Sequence, residues 1–135
     1  MHEIALGPLY SFAGKARTVH ISKGGFLFPS PAFLEPALHE WNAMRVAKRR
    51  ETHEEFILRI AAAHAEFLYL HPFREGNGRA ARLSVKIEAA KFGLPAPDFA
   101  YLETNKDEYI RAVQAAAAKK YAPMQSLFRY VFQLR

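Results

Sequence analysis

Residues 71–82, HPFREGNGRAAR, combine the side chains of this chain that are best suited to phosphate chemistry. His71 has an ordinary pKa close to neutral, so it can remove a proton from an attacking hydroxyl group. Glu75 offers the carboxylate oxygen that Mg²⁺ uses when the cation also binds nucleotide phosphates. Arg79 and Arg82 are three residues apart, a spacing that places both guanidinium groups on one helix face, where they can clamp phosphate oxygens. A base, a metal ligand and a clamp in this order predict a nucleotide site.

The turn Gly76-Asn77-Gly78 comes directly before the two arginines. Glycines before a helix let successive backbone N–H groups point into one concavity, and the helix N-terminus adds partial positive charge. We therefore predict that residues 76–78 bind the anionic part of the ligand. Each feature alone has a structural explanation, because Gly-Asn-Gly is common in turns and arginine pairs usually lie on solvated faces. Their occurrence together in one short segment favours a functional site.

Two amphipathic helices are predicted on either side of this segment. Apolar residues recur at helical spacing over residues 52–70, and again over residues 79–92 up to Gly93. Pro72 cannot continue the first helix because it lacks an N–H group. The chain must therefore turn sharply between the two helices.

The rest of the chain predicts further helices and one hairpin. Residues 19–28 are rich in β-branched and aromatic side chains around Gly24-Gly25, which favours a short hairpin. Periodicity and capping residues predict helices over residues 36–45, from Thr104 or Asn105 to 119, and over 123–133. Strands and helices do not alternate as in a parallel sheet, so the predicted class is all-α with a small β-hairpin.

Composition narrows the class of protein. The chain has 135 residues, half of them hydrophobic, which predicts one domain over residues 1–135. It lacks cysteine, which excludes disulfides, thiolate zinc sites and cysteine nucleophiles. No apolar run is long enough for a membrane span and the first residues do not resemble a secretory signal, so we expect a cytoplasmic protein.

Charge points to acidic partners without identifying them. The formal net charge is +6, which favours association with negatively charged molecules. The densest basic run, Lys48-Arg49-Arg50, is short and is followed by Glu51. We interpret it as a solvated face and expect no direct binding to nucleic acid.

Residues 71–82 resemble the signature of the Fic family, HPFx[DE]GNGRxxR, and match every specified position. The likeness extends to residues 13–18 (AGKART), to His64 seven residues before His71, and to Asp107-Glu108-Tyr109. The resemblance implies a compact helical Fic (fido) domain with a hairpin flap. It also implies the activity called AMPylation, in which AMP passes from ATP to a Tyr, Thr or Ser hydroxyl of a target protein.

The resemblance assigns a role to each residue of the segment. His71 would deprotonate the target hydroxyl, which attacks the α-phosphate and expels pyrophosphate, while Glu75 would hold Mg²⁺ between the α- and β-phosphates. The backbone of residues 76–78 and the Asn77 side chain would line the anion hole. Arg79 and Arg82 would hold the outer phosphates.

Two further assignments concern positioning. Phe73 would anchor the loop in the core. Gly25, Phe26 and Leu27 would form the tip of the flap, which aligns a target segment through main-chain contacts.

The family also suggests how the activity is restrained. Many members carry an inhibitory helix with the pattern [ST]xxxE[GN]. Residues 84–88 and 104–108 have the first spacing but are followed by Ala89 and Tyr109. The chain therefore resembles bacterial toxins of the family that are inhibited by a separate small antitoxin, and its basic charge suits an acidic partner of this kind.

Rival functions remain open at this point. One is a related transfer with another donor or outcome: transfer of UMP, transfer of phosphocholine, or direct phosphorylation as in the Doc branch. Gly78, Arg79 and Arg82 favour a triphosphate that is attacked at its α-phosphate. Another is a non-catalytic module that binds nucleotide or protein, although His71 and Glu75 are not needed to hold a turn. A metal hydrolase is disfavoured because the loop supplies too few ligands.

Two residues outside the motif have structural interpretations. We predict that His64 is a partly buried helix histidine with a local hydrogen bond. We predict that Tyr109 is a core residue, with contact to the adenine ring as the alternative.

Overall fold

The computed structural model describes residues 16–47 and 49–133. Its strands and helices are β1 (Ser22–Lys23), β2 (Phe26–Leu27), α1 (Leu34–Arg45), α2 (His53–Leu70), α3 (Asn77–Phe92), α4 (Ala100–Thr104), α5 (Lys106–Ala115) and α6 (Ala122–Phe132). Short 3₁₀ helices precede α1 and follow α5, at Pro31–Phe33 and Ala116–Ala118. The predicted all-α fold with one small antiparallel hairpin is confirmed. Within the described ranges, no helix combines the length and hydrophobicity needed to cross a membrane.

Helix α2 is the element on which the others pack. It begins at a capping box: the Glu55 N–H donates to the Thr52 hydroxyl at 3.1 Å, and the Thr52 N–H donates to the Glu55 carboxylate at 3.0 Å. Helices α1, α3, α5 and α6 all contact α2. Ala61 and Ala65 are fully buried, and such small side chains allow neighbouring helices to approach closely.

Two clusters of buried side chains share α2. The larger cluster joins α2 to α3, α5 and α6 around Phe56 and Phe128. The smaller cluster lies below the loop between α2 and α3 and includes Leu34, Phe67 and Phe73. Phe73 is 2% exposed, so the loop that contains the motif is anchored in the core, as predicted for this side chain.

Two predicted helix boundaries were wrong. Helix α3 begins at Asn77 instead of Arg79, because Gly76 adopts the left-handed conformation (φ 82°) and serves as the N-cap. The helix predicted up to residue 119 ends at Ala115, and Thr104 belongs to the separate helix α4. Asn105, one of the two predicted caps, is the N-cap residue of α5, although its side chain donates to the Tyr101 carbonyl of α4 at 2.9 Å and makes no capping hydrogen bond to α5.

Candidate active site

His71 lies at the C-terminal end of α2. Its backbone is left-handed (φ 49°), and its N–H donates to the Phe67 carbonyl at 3.0 Å. A positive φ is uncommon outside glycine and costs energy, so surrounding contacts must hold it. Pro72 follows and prevents the helix from continuing. His71 therefore projects from a fixed helix end.

The side chain of His71 is half-buried beneath the segment that follows β2. The Phe28 ring stacks on the imidazole, with centroids 4.1 Å apart and planes at 15°. Burial lowers the pKa of His71, and the positive charges of Arg17 and Lys23 lower it further. The lowered pKa favours the neutral imidazole, the form that accepts a proton.

Arg17 joins the motif loop to the hairpin segment. It is buried, and its guanidinium donates to four carbonyl oxygens, those of His71 (2.7 Å), Val19 (2.8 Å), Pro29 (2.6 Å) and Leu70 (3.2 Å). Its backbone N–H donates to the Pro72 carbonyl at 2.7 Å. Hydrogen bonds from a charged donor are stronger than neutral ones, so Arg17 is a principal support of the loop. The likeness of residues 13–18 to the family did not indicate this role for Arg17. Residues 13–15 lie outside the described residues.

Asn77 holds the loop from its other end. Its Oδ1 accepts from the Phe73 N–H and its Nδ2 donates to the Phe73 carbonyl, both at 2.9 Å. The side chain expected to line the anion hole is thus bonded to the loop backbone and buried. The contact of Asn77 with an anion stays a prediction, and it now concerns the backbone N–H of Asn77.

The first turn of α3 contains the residues for which an anion site was predicted. The N–H groups of Asn77 and Gly78 lie in a position where a helix offers no acceptor. The Arg82 guanidinium folds back over this turn, with Nη1 and Nη2 each 3.4 Å from the position a Cβ on Gly78 would take. Arg82 therefore adds its charge to the positive end of the helix dipole. Arg79 is exposed on the same turn.

Glu75 lies exposed in the loop, directly before the N-cap Gly76. In the described part of the chain, no group of three His, Cys, Asp or Glu side chains could hold a metal ion. A single accessible carboxylate beside an anion site nevertheless suits Mg²⁺, which binds nucleotides through one or two carboxylates plus phosphate oxygens. Glu75 remains the predicted ligand for that cation.

The hairpin ends in a two-residue turn. Gly24 (φ 56°) and Gly25 (φ 82°) both have positive φ, the conformation that type I′ turns require and glycine adopts readily. The register pairs Ser22 with Leu27 and Lys23 with Phe26.

The predicted flap residues lie at this turn and in β2. Phe26 packs edge-on against Phe28 (5.3 Å) and Tyr69 (6.2 Å), whereas Leu27 is 64% exposed. Phe28, the residue directly after β2, stacks on His71. The hairpin segment therefore contacts the side chain of the predicted base. Gly25 and Leu27 remain on the surface.

His64 lies in a different environment from the one predicted. It is fully buried, at 3% exposure, and its hydrogen bond is long-range: Nε2 lies 2.6 Å from the Tyr109 hydroxyl of α5. Burial lowers the pKa of His64 to about 3, and the Arg82 charge contributes to the lowering. Tyr109 is partly buried; burial raises its pKa, which the neighbouring Arg82 guanidinium opposes as a charge and as a hydrogen-bond donor. Spacing along one helix could not reveal a contact made between helices.

The basic run Lys48-Arg49-Arg50 has the character predicted for a solvated face. Arg49 and Arg50 are exposed, and Arg49 forms an ion pair with Glu55. Lys48 lies outside the described residues.

Comparison with known proteins places this site in a family. Residues 1–89 match the family model described as Fic/DOC family. The protein adenylyltransferase Fic of Nematostella vectensis is 30% identical over 96 residues, which cover 70% of this chain and 22% of that protein. The probable protein adenylyltransferase Fic of Salmonella typhimurium is 33% identical over 89 residues, 62% of this chain and 43% of that protein. The chain thus spans less than half the length of these curated relatives.

Solved structures show the same fold. The N-terminal Fic domain of a Bartonella effector protein from Bartonella sp. AR 15-3 superposes with a TM-score of 0.74 at 22% identity, covering 96% of this chain and 66% of that one. BepC from Bartonella tribocorum, solved with bound AMPPNP, gives a TM-score of 0.68 at 21% identity, covering 90% of this chain and 66% of that one. The family match covers more than half of the sequence and includes the motif loop, and the chain therefore belongs to the Fic/DOC family.

Proposed function

We propose that this chain transfers AMP from ATP to a Tyr, Thr or Ser hydroxyl of a target protein. The observation that carries the proposal is the short distance along the chain between a neutral His71 and the first turn of α3, over which the Arg82 guanidinium lies. A base and a phosphate site joined by one anchored loop are what a nucleotidyl transfer needs. ATP as donor is supported by relatives named protein adenylyltransferases and by the AMPPNP-bound relative BepC.

His71 acts as the general base in this proposal. It accepts the proton of the target hydroxyl while the hydroxyl oxygen forms a bond to the α-phosphorus. The bond from the α-phosphorus to the bridging oxygen of the β-phosphate breaks, and pyrophosphate leaves. The hydrogen bond from Arg17 holds the backbone of His71, and the stacked Phe28 ring holds its imidazole in place for this step.

The phosphates are held by the first turn of α3. The N–H groups of residues 76–78 and the guanidinium groups of Arg79 and Arg82 bind oxygens whose negative charge increases in the transition state. Mg²⁺ held by Glu75 would neutralise part of the triphosphate charge when it is bound.

The hairpin positions the target. The exposed β2, with Leu27 on its surface, offers backbone groups to which an extended target segment can add as a strand. Phe26 anchors the hairpin through Tyr69 and Phe28, so a target bound there lies next to His71.

The test is incubation of the protein with α-labelled ATP and Mg²⁺ in a bacterial lysate. Native protein, His71→Ala and the surface control His39→Ala, whose site is an exposed position of α1, are compared by gel autoradiography. We expect a labelled band with native protein and the control, and none with His71→Ala.

The same experiment separates the rival functions. Labelling by UTP, CTP or GTP instead of ATP would identify another donor, and mass spectrometry of the adduct would name it. Equal AMPPNP binding by native protein and His71→Ala, without transfer from any donor, would contradict catalysis and establish a binding module.

We also propose that the whole chain acts as one cytoplasmic domain. We further propose that a separate small acidic protein inhibits its transfer activity. α2 supplies side chains to both core clusters, which supports a single unit. Glu88, at one of the two near-matches to the inhibitory pattern, is buried and paired with Arg45 at 3.1 Å, so it serves the core instead of opposing the arginine clamp. Expression in bacteria should arrest growth and His71→Ala should relieve the arrest; normal growth with native protein would contradict this proposal.

A further inference from the structure

Side chains from three helices meet beneath the first turn of α3. His64 of α2 and Tyr109 of α5 face each other with ring planes at 17°, and His64 Nε2 lies 2.6 Å from the Tyr109 hydroxyl. The Arg82 guanidinium lies close enough to act on the same hydroxyl as a charge and as a potential hydrogen-bond donor. Arg82 in turn lies over Gly78, at 3.4 Å from its potential Cβ position. One line of contacts therefore runs from the buried core to the proposed phosphate site.

The donor capacity of each group fixes the direction of these hydrogen bonds. A guanidinium can only donate, so the Tyr109 oxygen can serve Arg82 only as an acceptor. Tyr109 has a single O–H, and the acceptor beside it is His64 Nε2. Nε2 must therefore be unprotonated, and a neutral His64 carries its proton on Nδ1.

The surroundings of Nδ1 agree with this tautomer. Nδ1 is buried and has no partner at hydrogen-bond distance among the described residues. The Ala81 carbonyl nevertheless acts on the imidazole as an acceptor, which suits a ring N–H on that side. Ala81, Ser84 and His64 line a cavity of about 10 Å³, close to the space that one water molecule needs. The group on the Nδ1 side of the ring is therefore an acceptor, the Ala81 carbonyl, while Nε2 already faces a donor.

We infer that His64 and Tyr109 are positioning residues that set where the Arg82 guanidinium stands at the N-terminus of α3. The inference rests on the proposed function in one respect, that the anion held there is the triphosphate of ATP. A long arginine side chain loses considerable rotamer freedom when it is fixed, and the Tyr109 hydroxyl supplies an acceptor that fixes Arg82 before the nucleotide arrives. Such preorganisation increases affinity because less order is imposed on binding.

The first test is the affinity for AMPPNP, measured by calorimetry with Mg²⁺ present. Tyr109→Phe removes only the hydroxyl, and we expect about tenfold weaker binding, the effect of losing one hydrogen bond to a charged group. Tyr130→Phe, at an exposed site on α6, is the matched control and should bind as native protein does. In an Arg82→Ala background, Tyr109→Phe should cause no further loss, because the residue acts through Arg82. Unchanged affinity in Tyr109→Phe, or the same loss with and without Arg82, would overturn the inference.

The second test concerns His64. His64→Gln keeps an acceptor that can reach the Tyr109 hydroxyl and should retain most of the AMPPNP affinity, whereas His64→Leu should bind as weakly as Tyr109→Phe. Circular dichroism checks the folding of both. If His64→Leu does not fold, nitrogen NMR of the imidazole in native protein tests the positioning role of His64. A proton on Nδ1 supports that role, and a proton on Nε2 overturns it.

These measurements separate the inference from the proposed function. If Tyr109→Phe weakens AMPPNP binding only when Arg82 is present, but no target is labelled, AMP transfer is overturned and the positioning role stays intact. Labelling of a target together with unchanged affinity in Tyr109→Phe would overturn the positioning role alone. A native protein that does not bind AMPPNP would overturn both.

Discussion

The Nε atom of Arg17 donates a 2.7 Å hydrogen bond to the carbonyl oxygen of His71. A buried cation thereby holds the backbone of the proposed base at the point where α2 ends. The remaining guanidinium donors reach carbonyl groups before and after the hairpin, so a single side chain keeps the hairpin and the motif loop together. Burial lowers the pKa of Arg17, because removal from water disfavours the charged form of the guanidinium.

Replacing Arg17 by Lys should lower the free energy of unfolding by about 2 to 4 kcal/mol. A lysine ammonium has three donors on one atom and cannot span four carbonyl oxygens in different directions. Urea unfolding measures the loss, with Arg129→Lys as control, because Arg129 pairs with Glu54 on the surface and should change stability by less than about 1 kcal/mol. Equal stability of the two variants would show that Arg17 does not support the loop.

The contrast between the motif and Arg17 shows how far the sequence determines the site. Residues 71–82 could be interpreted from sequence because their chemistry is contiguous and the turn between the helices is local. The roles of Arg17 and Tyr109 depend on contacts with residues more than forty positions away, and no local pattern encodes such a contact. Helix α4 was not predicted because its five residues are too few to show a helical repeat. The Asn105 side chain bonds to α4, although Asn105 stands at the predicted N-cap of α5.

Replacing Asn77 by Asp should weaken both stability and AMP transfer. The carboxylate can still accept from the Phe73 N–H but cannot donate to the Phe73 carbonyl, and it adds negative charge at the anion site. We expect a loss of about 1 to 3 kcal/mol in the free energy of unfolding, measured in urea, and weaker AMPPNP binding. Asn42→Asp, at an exposed position of α1, serves as control. Full stability with reduced binding would assign Asn77 to the ligand instead of the loop.

Replacing Lys23 by Glu should raise the pKa of His71. Burial is the main cause of the lowered pKa of His71, and the positive charges of Arg17 and Lys23 add to it; a negative charge at position 23 acts in the opposite direction. His71 would then bind its proton at higher pH, so the acid side of the pH profile for transfer moves upward. NMR titration of the His71 ring follows this without a target protein. Lys91→Glu, at the far end of α3, should leave the titration unchanged, and an unmoved or lowered pKa in Lys23→Glu would contradict the assignment.

Replacing Gly78 by Ala should separate stability from nucleotide binding. The new methyl group would lie 3.4 Å from the Arg82 guanidinium, which is ordinary contact with a flexible side chain, and alanine favours the helix by up to about 1 kcal/mol over glycine. Stability should therefore stay constant or rise, while AMPPNP affinity falls because the methyl group occupies the space over the first turn. The loss should shrink in an Arg82→Ala background, measured by calorimetry. A folded Gly78→Ala protein with native affinity would show that this turn is not the phosphate site.

The buried His64 should make the protein lose stability as the pH falls. Burial lowers its pKa from 6.5 to about 3 in the folded state. Below pH 6.5, His64 is therefore protonated in the unfolded chain but stays neutral in the folded protein. The free energy of unfolding then decreases by up to about 1.4 kcal/mol per pH unit until the folded pKa is reached. His64→Gln retains the acceptor for Tyr109 but cannot titrate. Urea unfolding at about pH 7, 6 and 5 gives the free energy of unfolding of both proteins. As the pH falls, native protein should lose more stability than His64→Gln. The effects of the other titrating groups cancel, because both proteins contain them. If the free energies of unfolding of the two proteins changed in parallel with pH, His64 would be protonated as readily in the folded protein as in the unfolded chain. That result would contradict its role as a buried acceptor for the Tyr109 hydroxyl.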